Sequence, residues 1–463
     1  MDLKAILKDK SHIHFIGIGG SGMFPLVQIL HSKGKQISGT DNNPSDTLSK
    51  VKEMGIKVYM EHTPDNIRGA DLIIYSAAIM EDNPELIAAK SSDAVCIGRS
   101  ELLGAVTAEY GNAICVCGTH GKTTATSMIT QIMMTAGEDP SAVIGGRLEV
   151  IGGSGRVGSS DMLVCEACEF ADTFLMLWPD ISLVLNIDED HLDYFKNLDN
   201  LILSFSKFIA KTSRAVIING DDENSLKAAK DCPVPLYTFG LSHNNDFYPD
   251  NITTDENFVT HFDFISGGQK LTRLRLSVPG RHNLLNAVAA CAAAVTAGLA
   301  PGKLDGLEQY KGVARRFEIL GEYNGAVIAD DYAHHPAEVE ATLTTARSLG
   351  FDRIIAIHQP FTYSRTAALK NEFARSLSIA DVVILSDIMG SREKNTYGIH
   401  SQDLADLITG AKYFSGFDQI AEYTKSIAKK GDLVITLGCG DVYKIGKRIT
   451  MQNAECRMQK KIS

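Results

Sequence analysis

The chain has 463 residues, 44% of them apolar and 22% charged, the balance of a folded globular protein and not of a disordered or low-complexity one. At ~150 residues per core, that length calls for about three domains. Its 45 basic and 56 acidic side chains leave a net charge of −11, which argues against nucleic acid as the main partner, so any phosphate it binds must meet a local site.

Residues 1–10 carry Asp2, Lys4, Lys8, Asp9 and Lys10 and lack the apolar core of a signal peptide. The Ala-rich residues 287–300 are too few to cross a bilayer of about 30 Å. A cytoplasmic chain with no membrane span is the expectation. Nine cysteines, an odd number scattered over the chain, suit a reducing compartment better than a disulfide framework.

Strand-length apolar runs alternate with helical patterns, which reads as an α/β fold with parallel sheets. In the first region, residues 12–16, 36–39 and 71–75 are predicted strands, with a helix over 23–33. Between the first strand and that helix lies Gly17-Ile-Gly19-Gly20-Ser21-Gly22, and Asp41 follows the second strand. This is the G-x-G-x-x-G pattern with an acid about 20 residues on, whose tight turn seats a pyrophosphate on backbone N–H groups, whichever nucleotide carries it. Pro25 suits the first helical turn, where its missing N–H would be unpaired anyway. Alone the pattern is weak, and a turn without a ligand is its plain alternative.

The second region has predicted strands at 113–117, 162–165, 181–187 and 215–219, and a helix over 125–137. Its sharpest signal follows the first of these strands: Gly118-Thr119-His120-Gly121-Lys122-Thr123-Thr124. A strand enters the glycine loop and a helix leaves it, so backbone N–H groups and the helix N-terminus converge where phosphate would lie. Lys122 can reach β- and γ-phosphates, and the Thr123 hydroxyl can complete a Mg²⁺ shell. The usual G-x-x-x-x-G-K-[ST] pattern has glycine where this chain has Val116, so the loop is a shortened variant.

Glu166, ending the 162–165 strand, offers the hard oxygen that Mg²⁺ takes. His191, after Asn186-Ile-Asp-Glu-Asp190, is a softer candidate, and a lone histidine is more often structural. Cys165 and Cys168 form a C-x-x-C with no second pair at zinc-ribbon spacing, so buried or half-buried structural thiols are expected.

Residues 258–264 and 271–278 alternate apolar and polar, as a half-exposed antiparallel pair does. The third region has predicted strands at 326–329, 353–357, 381–385 and 432–437. The rhythm places domains at 1–108, 109–312 and 313–463, and the tail 457–463 reads as a solvated end.

Taken together, the Gly118 loop, the Gly17 loop, Asn186-Ile-Asp-Glu-Asp-His191, Arg281-His-Asn283-Leu-Leu-Asn286, Gly312-Val-Ala-Arg-Arg316-Phe and Asp330-Asp-Tyr-Ala-His-His-Pro336 occur in one order, and over essentially the whole chain they resemble the Mur ligase family. The resemblance implies a Rossmann-like N-terminal domain, a central P-loop ATPase domain and a Rossmann-like C-terminal domain. It implies ATP and Mg²⁺ as cofactors. UDP-N-acetylmuramate and L-alanine would be the substrates, joined through an acyl phosphate, because His120 and the Asp-Asp-Tyr-Ala-His-His-Pro segment resemble the alanine-adding members.

By the same resemblance, Gly19, Gly20, Ser21, Gly22, Asp41 and Ser76 face the UDP part. Lys122 grips phosphate, Thr123 and Glu166 hold one metal ion, and His191 holds a second. Asn283 and Asn286 meet the base region, Arg316, Asp331 and Tyr332 reach the nucleotide on domain closure, and His334 and Arg365 lie near the amino acid. No nucleic acid or membrane partner is implied, and the chain is either a monomer or a homodimer.

Two segments depart from the family pattern. Glu166-Ala-Cys168-Glu169-Phe170-Ala171 stands where many members read Glu-Ala-Asp-Glu-Ser-Asp, and Gln359-Pro-Phe361-Thr362-Tyr-Ser-Arg365 where they read Gln-Pro-His-Arg-Tyr-Thr-Arg. A peptide-recycling ligase on the same sugar, a nicotinamide-dependent oxidoreductase and a non-catalytic nucleotide-binding regulator are the competing readings.

Overall fold

A computed structural model describes residues 5–255, 259–391 and 393–450. Asp2, Lys4, Phe258 and the tail 457–463 lie outside the described residues. The chain divides into two compact units, one of Met1–Val278 with Asn283–Lys311 and the other of Pro279–His282 with Gly312–Ser463.

The first unit opens with five parallel strands, β1 (His12–Ile16), β2 (Gln36–Thr40), β3 (Lys57–Tyr59), β4 (Leu72–Tyr75) and β5 (Val95–Gly98), in the order β3-β2-β1-β4-β5. Ile13, His14, Phe15 and Ile16 of β1 have no exposed surface, as expected of a central strand covered on both faces. The helix Phe24–Ser32 returns over the sheet, buries Phe24, Leu26, Val27, Ile29 and Leu30, and takes Pro25 into its first turn. Strand order reverses between β1 and β4, and ligands of open α/β sheets sit beyond the strand ends at such a point.

The same unit continues into a ten-stranded sheet: β6 (Asn112–Cys117), β7 (Ser141–Leu148), β8 (Gly153–Arg156), β9 (Met162–Glu166), β10 (Ile181–Val184), β11 (Ala215–Asn219), β12 (Leu236–Phe239), β13 (Phe247–Thr254), β14 (Thr260–Ser266) and β15 (Gln269–Leu276). Strand β6 lies between β10 and β9, parallel to both. The helix Lys122–Thr135 leaves β6 with every residue from Thr123 to Met133 buried, so it is a core helix and not an amphipathic cover. The expected antiparallel pair is β14 and β15. Strand β10 stops at Val184, three residues short of the 181–187 expectation. Leu185 N donates to Cys117 O at 3.0 Å, and Asn186 then turns its side chain onto the phosphate loop instead of extending the ladder.

The second unit holds β16 (Glu318–Tyr323), β17 (Ala326–Asp331), β18 (Arg353–His358), β19 (Val382–Leu385), β20 (Lys412–Tyr413) and β21 (Asp432–Leu437), ordered β16-β17-β21-β18-β19-β20. All but β16 run parallel. Alternate residues enter two cores: Ile354, Ala356, Leu433 and Ile435 on one face, Ile355, Ile357 and Val434 on the other. This is the period-2 geometry of a strand buried on both sides, and truncating one of these isoleucines to alanine costs about 2–5 kcal/mol.

Candidate active site

The Gly17–Gly22 loop leaves β1, Asp41 follows β2 and Ser76 follows β4, so three separated sequence positions meet at one edge of the first sheet. Gly17 N and Ile18 N donate to Thr40 O at 2.7 and 3.1 Å, and Gly19 N donates to Asp41 Oδ2 at 2.9 Å. The glycines are needed for room: a Cβ on Gly17 would stand 3.2 Å from Ser76 Cβ, and one on Gly19 would stand 2.9 Å from Asp41 Oδ2. Gly20 O accepts from Met23 N at 2.9 Å and starts the helix. Ser21 O accepts from Ser154 Oγ at 3.1 Å.

Beyond β6 the second loop is set by two glycines at left-handed φ, Gly118 at 136° and Gly121 at 84°. Asn186 clamps it. Its side-chain oxygen accepts from His120 N at 2.8 Å, its amide donates to His120 O at 3.0 Å, and its carbonyl accepts from Thr119 N at 3.0 Å. Thr119 Oγ1 in turn accepts from Asp188 N at 2.9 Å. Asn286 covers Gly121 so closely that a Cβ there would lie 2.6 Å from its Oδ1. Asn283 and Asn286 are both buried in the helix Arg281–Thr296, while Thr123 and Thr124 are buried in the first turn of Lys122–Thr135.

Lys122 Nζ donates to Gly118 O at 2.6 Å and Thr119 O at 3.1 Å, and to both carboxylate oxygens of Glu169 at 3.0 and 2.9 Å. Burial works against the charge, but the negative charge of Glu169 carries the lysine above its ordinary pKa.

Glu166 projects from the C-terminal end of β9, where it accepts from Gly145 N; a Cβ at Gly145 would fall 2.6 Å from its Oε2. His191 follows β10 at φ 54°, its ring 4.7 Å from that of Phe170. Among the described residues no group of three His, Cys, Asp or Glu side chains is arranged to hold a metal ion. A cavity of about 260 Å³ runs from the first loop to the end of β9, lined by Ser21, Gly22 and Arg99 on one side and Gly145, Glu166 and Cys168 on the other.

In the second unit, Asp331 ends β17. Burial pushes its carboxyl up to about 6, against the pull of Arg316 and of the Ala333 and Phe317 N–H groups, which donate to it at 2.8 Å each. The Arg316 guanidinium lies 5.3 Å from the centre of the Tyr332 ring. His334 Nδ1 donates to Tyr332 O at 3.0 Å and lies 3.2 Å from Glu338 Oε2. The His334 ring meets Phe361 edge-on at 6.1 Å. Arg365 sits in the helix Tyr363–Ala368, which Thr362 caps at φ 62°.

Three family models match in chain order: the Mur ligase family catalytic domain over residues 12–110, the Mur ligase middle domain over 116–294 and the Mur ligase glutamate ligase domain over 315–440. The chain is 45% identical over 444 residues to the UDP-N-acetylmuramate–L-alanine ligase of Agathobacter rectalis, covering 94% of this chain and 97% of that protein.

The chain belongs to the Mur ligase family.

Its identity to the enzyme of the same name from Acetivibrio thermocellus is 44%, over 94% of this chain and 95% of the relative. Among solved structures, UDP-N-acetylmuramate-alanine ligase from Thermotoga maritima superposes with a TM-score of 0.80 at 25% identity, covering 96% of this chain and 100% of that one. A murein peptide ligase from Psychrobacter arcticus superposes with a TM-score of 0.72 at 22% identity, covering 95% of this chain and 98% of that one, and so shares the fold.

Two residues of this Mur ligase escaped the sequence reading. Arg99 opens the helix after β5, and its Cδ would lie 3.5 Å from a Cβ on Gly22; recognising 95–98 as a strand would have placed Arg99 beside the first loop. Glu169 gave no periodic signal, because its partner Lys122 is 47 positions away. The expectation for the C-x-x-C pair needs correcting. Cys165 is buried with its sulfur 3.6 Å from that of Cys115, but Cys168 is exposed, since the sheet ends at Glu166 and the chain then turns along the cavity.

Proposed function

We propose that this Mur ligase joins L-alanine to the lactyl carboxylate of UDP-N-acetylmuramate at the expense of ATP, a step of peptidoglycan precursor synthesis. The observation that carries this reading is the cavity from Gly22 to Glu166, because it lets one substrate begin at a dinucleotide-type loop and end at Glu166, which pairs with Val116 on the strand leading into the phosphate loop. The alanine-adding names of relatives at 44–45% identity agree. No helix among the described residues is long and apolar enough to cross a membrane, and a cytoplasmic location suits nucleotide substrates.

A carboxylate ionised at pH 7 is a poor electrophile until one oxygen becomes a leaving group. The lactyl oxygen attacks the γ-phosphorus of ATP, the bond to the ADP oxygen breaks, and an acyl phosphate forms. The alanine nitrogen then attacks the acyl carbon, the bond to phosphate breaks, and the departing phosphate takes up the proton that the amine loses. Gly19, Gly20, Ser21, Gly22, Asp41 and Ser76 hold the UDP end. Residues 118–124 hold the ATP phosphates through the N–H groups at the helix start from Gly121 on, those of Thr119 and His120 being taken by Asn186, and Lys122 stabilises charge on the phosphoryl in flight. Asn283 and Asn286 lie toward the base.

Mg²⁺ fits the donor chemistry. It needs few protein ligands and takes hard oxygens, which Thr123 and Glu166 supply, with His191 assigned to a second ion. When bound, it neutralises charge on the phosphates. His334 and Arg365 are assigned to alanine, while Arg316, Asp331 and Tyr332 keep the nucleotide role that the family resemblance gives them.

The test is phosphate release from ATP by the purified protein with Mg²⁺ and UDP-N-acetylmuramate, with and without L-alanine. Release that needs both substrates is expected. Release with a tripeptide but not with alanine would move the assignment to a peptide-recycling ligase, and no release with any acceptor would leave a nucleotide-binding regulator.

A further inference from the structure

The lysine expected to grip phosphate is already fully engaged in this structure. An ammonium has three protons, and Nζ of Lys122 faces four acceptors: two loop carbonyls and both oxygens of Glu169. The Glu169 side chain is only 2% exposed, and that of Lys122 is 16% exposed. Local geometry holds the carboxylate there. After β9 the chain turns so that Asp172 N donates to Glu169 O at 2.9 Å and Phe174 N to Cys168 O at 3.0 Å, with Ala171 and Asp172 at φ 52° and 58°. Glu169 thus presents two anionic oxygens to the loop lysine, as a phosphate does.

We propose that Glu169 is the resident counter-ion of Lys122 in the nucleotide-free enzyme, a positioning residue that holds the lysine ammonium and is displaced from it by the ATP phosphates. This rests on the reading that residues 118–124 bind ATP. A lysine ammonium stripped of water needs a partner at all times. In the free enzyme Glu169 fills that role, and in the complex the phosphates do.

A thermodynamic cycle turns this into a signed expectation. If the pair exists only in the free enzyme, removing the Glu169 charge weakens the free enzyme and spares the complex, so ATP affinity must rise as stability falls. A carboxylate that merely props the loop predicts the opposite, because its loss would weaken the fold and nucleotide binding together.

The experiment compares full-length wild type with Glu169→Gln, measuring the dissociation constant of a non-hydrolysable ATP analogue with Mg²⁺ by calorimetry, and Tm with and without that analogue. The variant is expected to bind about tenfold tighter, to melt lower when free and to show a larger Tm rise on binding. Glu169→Asp keeps the charge but withdraws it by one methylene, and is expected to show a smaller gain of the same sign, which covers the case in which Glu169→Gln does not fold. Unchanged or weaker binding in a folded variant overturns the proposal. Failure of wild type itself to bind the analogue would instead overturn the ATP-loop reading, and this proposal with it.

Discussion

Asp331 illustrates how one buried charge links stability to function. Its folded pKa of about 6 lies above the ~3.9 of a free aspartate, so between those values the folded protein holds the proton more tightly than the unfolded chain. The sign follows: stability drawn from this group is greatest below pH ~4 and is lost as pH rises to about 6. Asp331→Asn is expected to match wild type near pH 4, to gain up to about 3 kcal/mol over it at pH 8 and to lose turnover, as paired denaturation curves and phosphate-release rates would reveal. A gain that is the same at both pH values would contradict this account. Lys122→Ala is expected to abolish turnover while leaving UDP-N-acetylmuramate binding nearly intact, because the proposed seat of the sugar nucleotide is the other loop; calorimetry on the inactive variant checks the second half. Lys122 and Thr123 stood out in the sequence as candidates because Gly-Lys-Thr between a strand and a helix has a strong local meaning. Glu169 and Arg99 did not, because each acts on a residue far away along the chain.

At the scale of elements, the first sheet carries a polar cluster in its interior. His14 and Glu85 have no exposed surface. His14 Nε2 lies 2.9 Å from Glu85 Oε1, Thr40 Oγ1 donates to the same oxygen at 2.6 Å, and His62 Nδ1 lies 2.6 Å from Oε2. Burial works against the charge on Glu85, yet the bonds from His14, Thr40 and His62 hold its pKa below the ordinary glutamate value. Its stabilisation is therefore complete above the unfolded value of ~4.3 and is lost as pH falls through the depressed folded value.

Glu85→Gln is expected to cost about 3–5 kcal/mol at pH 7, the penalty of breaking a buried pair, with the deficit shrinking in acid. Because the Thr40 carbonyl also holds Gly17 and Ile18, UDP-N-acetylmuramate should bind more weakly to the same variant. Chemical denaturation at pH 7 and pH 4 tests the first claim and calorimetry the second. The strands at 12–16, 215–219 and 432–437 were legible to the residue, since β-branched runs buried on both faces read clearly. Lys57–Tyr59, Gly153–Arg156 and Lys412–Tyr413 were not read, being short and polar or glycine-rich.

Across the whole molecule, we propose domains at 1–108, 109–312 and 313–463. The last has its own six-stranded sheet and a core on each face of it, so a fragment of residues 313–463 is expected to melt cooperatively by circular dichroism; a gradual, non-cooperative melt would show that its cores need the rest of the chain. By itself the sequence determined the α/β class, the two glycine loops and the order of motifs. Each of these depends on neighbours a few positions apart, through side-chain periodicity and the φ values that glycine permits. Only the tertiary structure decided that Glu169 holds Lys122, that Asn186 clamps His120, and that a cavity joins Gly22 to Glu166. Such pairings depend on which strand ends lie side by side, and sheet order, set by the packing of the whole core, has no local signature in the chain.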